Sequence, residues 1–159
     1  MKKKYFIATI IVLAVILLDQ SSKLYVERAL TLHDPITVIK DFFHIVHVRN
    51  TGAAFGIMAE QGLWLRVFFI SISTVAIIII PFFLMKLEDN QIVPITGLSL
   101  IMAGAIGNLI DRLRLGEVID FIDLHWYSYH WPTFNLADSA ITIGGIFLII
   151  EIVFIKDAF

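Results

Sequence analysis

The chain alternates between long apolar runs and short polar punctuation. The runs are Tyr5–Leu18, with an amphipathic continuation to about Glu27, then Leu63–Met85, Ile92–Ile110 and Leu136–Ile155. Each can supply the ~20 residues that a helix needs to cross a ~30 Å hydrocarbon core. A helix also satisfies its own backbone, which lipid cannot do. The pattern therefore predicts transmembrane helices at about 5–27, 63–85, 92–112 and 136–155. Between the first two, "ITVIKDFFHIVHVRN" is rich in Ile, Val and Phe and alternates locally at Ile36/Val38 and Val46/Val48, which predicts short strands. "NTGAAFG" follows and reads as a turn back to the membrane. Between the last two, "IDLHWYSYHWPTF" is dense in Trp and Tyr, rings that favour the headgroup level. The expected fold class is an all-α membrane protein of four transmembrane helices, with a small β-rich first outer loop (28–61) and an aromatic second outer loop (113–135). No repeat or soluble linker interrupts it, so one integral-membrane domain, 1–159, is expected.

Composition sharpens this. Of 159 residues, 58% are hydrophobic and 16% charged, too few charges to coat a soluble domain of this size. The mean hydropathy is +0.87. A formal net charge of −2 offers nucleic acid no basic surface. The chain has no cysteine, which excludes disulfides, thiolate metal sites, a cysteine nucleophile and lipidation of this chain on cysteine. "MKKKYFIATIIVLAVILL" also has the basic start and short apolar core of a signal peptide, but the following "DQSSK" lacks a clear small-residue cleavage site. Lys2, Lys3 and Lys4 are expected to stay in the cytoplasm. Four crossings then put both termini there, with Lys86 in a cytoplasmic turn. Lys40, Arg49, Arg112 and Arg114 weaken the bias, so the N-terminal cluster decides.

Orientation gathers the polar residues. At 1.5 Å rise per residue, Asp19 and Lys23 fall near the outer end of the first helix. Asn108, Asp111 and Arg112 fall at the outer end of the third, and Asn135 and Asp138 at the outer start of the fourth. Arg49 and Asn50 precede the second. Arg66 is expected to snorkel outward, and Glu151 stands apart near the cytoplasmic end. Ionisable groups at a bilayer edge are costly and usually face a polar cavity or a partner. Each also has a plain structural reading. Asp19 and Lys23 could be an i, i+4 ion pair. Asp111 and Arg112 could mark a helix end and bind headgroups. Asn135 with Asp138 resembles an N-cap with an acid in the first turn. Asp123 is expected to be a solvated loop acid. His44 and His47 are expected to be strand or surface residues, His125 and His130 interfacial ones, and Glu151 paired in the bundle or snorkelling.

The chemistry available is narrow. H-E-x-x-H and G-x-S-x-G are absent, and no glycine-rich phosphate loop follows a strand. No metal site and no cofactor are expected. Carboxylates, amides and arginines remain. Two aspartates together in a low dielectric resist double ionisation, so one keeps a proton while the other activates water. Which two of Asp19, Asp111, Asp120, Asp123 and Asp138 would pair stays open on physical grounds. A proton-coupled transporter or channel subunit competes, and so does a structural assembly factor. A transporter would place its acids near the midplane, and inverted repeats, which would favour it, are not evident.

Five blocks carry a resemblance: "DQSSK" (19–23), "RNTGAAFG" (49–56), "AGAIGNLIDR" (103–112), "VIDF" (118–121) and "FNLADS" (134–139). Each alone is weakly specific, but in order they closely resemble bacterial lipoprotein signal peptidase, signal peptidase II, over nearly the whole chain. The resemblance implies an aspartic endopeptidase of the bacterial inner membrane, with its site near the outer face. Its partner would be a diacylglyceryl-modified prolipoprotein, cut just before the lipidated cysteine, with membrane lipid around it. A monomer is expected. The resemblance makes Asp120 and Asp138 the catalytic aspartates. It assigns Asn50, Asn108, Arg112 and Asn135 to substrate binding or dyad support, and Asp19, Lys23 and Asp111 to structural support. Ala103-Gly104 stands where the family often has two glycines. Little consequence is expected, since alanine also permits close helix packing.

Overall fold

The structure is a computed structural model and describes residues 2–52 and 62–155. Helix α1 spans Lys3–Ala29, α2 Gly62–Lys86 and α3 Ile92–Arg114. Helix α4 spans Leu136–Ile150 and continues as a π-helical segment, Glu151–Ile155. All four are long and apolar enough to cross a membrane. They match the apolar runs to within about two residues at most ends. Most of the "NTGAAFG" turn lies outside the described residues.

Helix α3 is the hub, packing against α1, α2 and α4. Its most apolar stretch is 56% buried, against 11–17% for the other three, so those present their flanks to lipid. The α3–α4 seam is made by small residues. A Cβ on Gly97 would stand 3.0 Å from the Gly144 carbonyl oxygen, and one on Gly104 would overlap the Ala137 carbonyl. Such residues let transmembrane backbones approach closely. Ala103, beside Gly104, has no exposed surface.

The connections hold strands β1 (Ile36–Ile39), β2 (Phe43–Asn50), β3 (Val118–Trp126) and β4 (Tyr129–His130), forming one antiparallel sheet in the order β1-β2-β3-β4. This corrects the all-α expectation: the second outer loop is as much a strand carrier as the first. The reason is burial. Residues 118–121 of β3 are all buried, so the alternation that marks a half-exposed strand is missing from the sequence. Ile119 and Phe121 pack with Val26 of α1, with Leu115 and Leu136 against them, which fixes the sheet to the helix ends. Val48 pairs with Asp120 and Asn50 with Val118, so β2 brings Asn50 beside Asp120.

The lysine cluster has a structural member. Lys4 is buried and its ammonium lies 2.8 Å from the carbonyl oxygen of Met85, at the end of α2. That satisfies a carbonyl a helix leaves open at its C-terminus and places a cation there.

Candidate active site

Asp19, Lys23, Asn108, Asp111, Asp120 and Asn135 are all buried, and they meet where α1, α3, β3 and α4 converge. Lys23 lies 2.9 Å from both Asp19 and Asp111 and donates to Asn108 Oδ1 at 3.0 Å. The i, i+4 pair is therefore half of a larger bridge. Asp19 also accepts the Ala137 N–H at 2.9 Å, satisfying an open donor in the first turn of α4. Asp111 accepts the Ile119 N–H at 3.2 Å, so it holds the start of β3 rather than a headgroup. Gly107 leaves the space for this: a Cβ there would press on the Asp19 carboxylate.

On this base stand the two acids of the motifs. Asn135 caps α4 with a capping box, accepting the Asp138 N–H at 2.9 Å and donating its own backbone N–H to Asp138 Oδ2 at 3.3 Å. Its side-chain amide donates to Asp120 Oδ1 at 2.7 Å. Asn50 donates to Asp120 Oδ2 at 2.8 Å, and Asn108 donates to Asp138 Oδ1 at 2.8 Å. All four carboxylate oxygens thus accept an N–H, and Asn135 touches both acids. Burial, reinforced by the charge of Asp138, raises the Asp120 carboxyl from 3.8 to about 7 against the pull of Asn50 and Asn135. The Arg112 guanidinium is within electrostatic reach of both acids.

Several neighbours escape a reading of the sequence. Gln20 donates to Asp19, to the Gly107 carbonyl and to Asp111, each at 3.1 Å. Its place inside "DQSSK" was the available signal. Phe69 of α2 lies with its ring 4.8 Å from the Arg112 guanidinium and fills the space beside Gly52, where φ is +95°. The Gly52 N–H in turn donates to Asn50 Oδ1 at 2.7 Å. No local pattern sets Phe69 apart from the other aromatics of α2.

Asp123 requires a correction. It is not a solvated loop acid but a buried residue of β3, with His130 Nδ1 at 2.8 Å and His44 Nδ1 at 3.4 Å. Those partners are remote in sequence or on another strand, so nothing local announces them. His44 and His47 do lie on β2, His47 buried there. Arg66 sits in the first turns of α2 against Gly116, and Glu151 is buried at the start of the π-helical segment. Among the described residues no group of three or more His, Cys, Asp or Glu is arranged to hold a metal ion.

The profile of the Signal peptidase (SPase) II family matches residues 11–154. The chain is 45% identical over 154 residues to the lipoprotein signal peptidase of Syntrophus aciditrophicus (strain SB), covering 96% of each chain. It is 46% identical over 153 residues to that of Geobacter sulfurreducens, covering 96% of this chain and 95% of the relative. Among solved structures, one bacterial membrane enzyme superposes with a TM-score of 0.83 at 38% identity, covering 97% of this chain and 98% of the other. A second gives 0.82 at 36%, covering 94% and 89%.

Proposed function

Since the chain belongs to the signal peptidase II family and is a multi-pass membrane protease of lipoprotein precursors, we propose that Asp120 and Asp138 are its catalytic pair. The observation that carries this is Asn135, which donates one N–H to each acid. It holds two carboxyl groups in one polar pocket at the start of a helix. Asp120, with its carboxyl raised to about 7, holds the proton. Asp138, in the first turn of α4 and facing the positive end of the helix dipole, acts as the carboxylate.

Water attacks the carbonyl carbon of the residue before the lipidated cysteine, giving one proton to Asp138 while Asp120 protonates the carbonyl oxygen. The tetrahedral intermediate collapses as Asp138 returns its proton to the cysteine nitrogen and Asp120 recovers its own. The C–N bond breaks, leaving a carboxyl on the signal peptide and a free amine on the diacylglyceryl cysteine. Asn50, Asn108 and Asn135 fix the acids, Arg112 supports them electrostatically, and Asp19, Lys23 and Asp111 brace the platform. The protein resides in the inner membrane as one domain, with both termini in the cytoplasm and the acids toward the outer leaflet. A transporter would carry its acids at mid-span, whereas Asp120 lies on a strand outside the spans and Asp138 in a first helical turn.

The test is cleavage of a diacylglyceryl-modified prolipoprotein by the purified chain and by Asp120→Asn and Asp138→Asn. Asparagine keeps the shape and removes the titrating acid. Each variant should insert normally and lose nearly all cleavage. Full activity in either would refute the pair.

A further inference from the structure

A groove of about 700 Å³ opens along β2. Val46 and Val48 form part of its apolar lining, and Asn50, bonded to Asp120, stands at one end. Asp123, His44 and His130 line the same groove. Asn50 and His44 are six strand positions apart, which is about 20 Å at ~3.3 Å per residue. The groove thus reaches the residue that holds Asp120 and lies on the sheet rather than between the membrane spans. The part of a precursor that must leave the membrane is the part after the cut.

The far end has its own chemistry. The His44 and His130 rings each direct Nδ1 at the buried Asp123 carboxylate. His125 lies against both, with ring centres 4.2 Å from His44 and 4.7 Å from His130. His130 holds the carboxylate by a hydrogen bond at Nδ1 and His44 by a longer contact; with the rings neutral, this end presents ring-nitrogen acceptors backed by a negative charge. The groove's Arg49 lies at the other end, 3.5 Å from Glu27.

We propose that this groove takes the mature-side segment of the precursor in extended form, and that the Asp123–His44–His130 cluster favours a basic or hydroxyl-bearing side chain over an acidic one about six residues after the cut. This rests on the peptidase reading above. The test compares lipidated precursors that differ only in bearing Lys, Ser or Glu at the fifth to seventh positions after the cut, using the full chain in detergent micelles. For a partly exposed charge contact, the Glu series should show a KM roughly two- to fivefold above the Lys series, with kcat unchanged. Asp123→Asn should bring that ratio toward one, and so should His130→Gln, which changes a half-exposed side chain and spares the buried acid. Equal KM across the wild-type series, or an undiminished ratio in both variants, would overturn the proposal. Fluorescence anisotropy of a labelled mature-side peptide gives a second readout that needs no cleavage. A Lys-over-Glu preference there, with no cleavage of any precursor, would uphold the groove and sink the peptidase reading. No preference in that readout would overturn the groove.

Discussion

Asp120 is 1% exposed, and loss of water favours its neutral form over the carboxylate. The Asp138 charge pushes the same way, while the amide donors of Asn50 and Asn135 pull back toward the carboxylate, leaving the carboxyl at about 7. The native state therefore keeps a proton that the unfolded chain releases above ~4. This residue's contribution to stability is full below that pH and is lost as pH rises through about 7. In the proposed mechanism this same proton is the one given to the carbonyl oxygen, so kcat should fall along an alkaline limb near pH 7. Asn50→Ala removes a donor that lowers the Asp120 value, so the limb should move to higher pH while kcat drops. A kcat–pH profile of both proteins measures this. A limb that stays put or moves down would remove Asp120 as the proton holder. The sequence showed which acids stand near helix ends, and the resemblance chose between them. Physical reasoning on the sequence could not, because proximity depends on β3 laying Asp120 beside the first turn of α4. Asp123 was misjudged for the same reason: its environment is made by other strands.

At the scale of elements, the helices were legible because a bilayer demands about 20 apolar residues in a row, a constraint written in local sequence. Strand β3 was not, since burial on both faces removes the alternation that would reveal it, and the two exposed residues of β4 are too few to show any pattern. The α3–α4 seam also stayed hidden. A glycine in an apolar run looks the same whether it faces lipid or another backbone. Gly104 faces another backbone, and a Cβ added there would strike the Ala137 carbonyl and come within 2.7 Å of the Ile141 side chain. Ala137 precedes Asp138, so the strain would fall on the turn that carries the acid. Gly104→Ala should destabilise the fold by about 1–3 kcal/mol, the usual cost of overpacking, and lower cleavage by more than the lost folded fraction explains. Gly145, with nothing within 4 Å of its Cβ position, is the matched control. Thermal unfolding and cleavage of Gly104→Ala and Gly145→Ala would be measured together, and equal effects would refute a role for the seam in placing Asp138.

For the whole molecule, the lipid-facing flanks of α1, α2 and α4 and the sheet at their ends divide two environments. The acids stand where those environments meet, Asp138 at the start of a span and Asp120 on the sheet. A lipidated substrate already has its acyl chains in the hydrocarbon and its mature segment in water, so the bond between them is brought to that boundary before it meets the enzyme. If the substrate arrives laterally in the membrane plane, as the proposed function implies, that arrival supplies much of the alignment that a soluble protease must create by binding. Remote binding energy of this kind lowers the barrier only if it orients the reacting groups, and a misplacement of 1 Å can cost on the order of 100-fold. An unlipidated precursor of identical peptide sequence should therefore be cut with kcat/KM lower by on the order of 100-fold. Its remaining cleavage should still disappear in Asp138→Asn, because the chemistry is unchanged and only delivery is lost. Parallel assays of the two precursors in the same lipid vesicles decide the matter. Equal kcat/KM would reject delivery through the membrane plane while leaving the two acids in place.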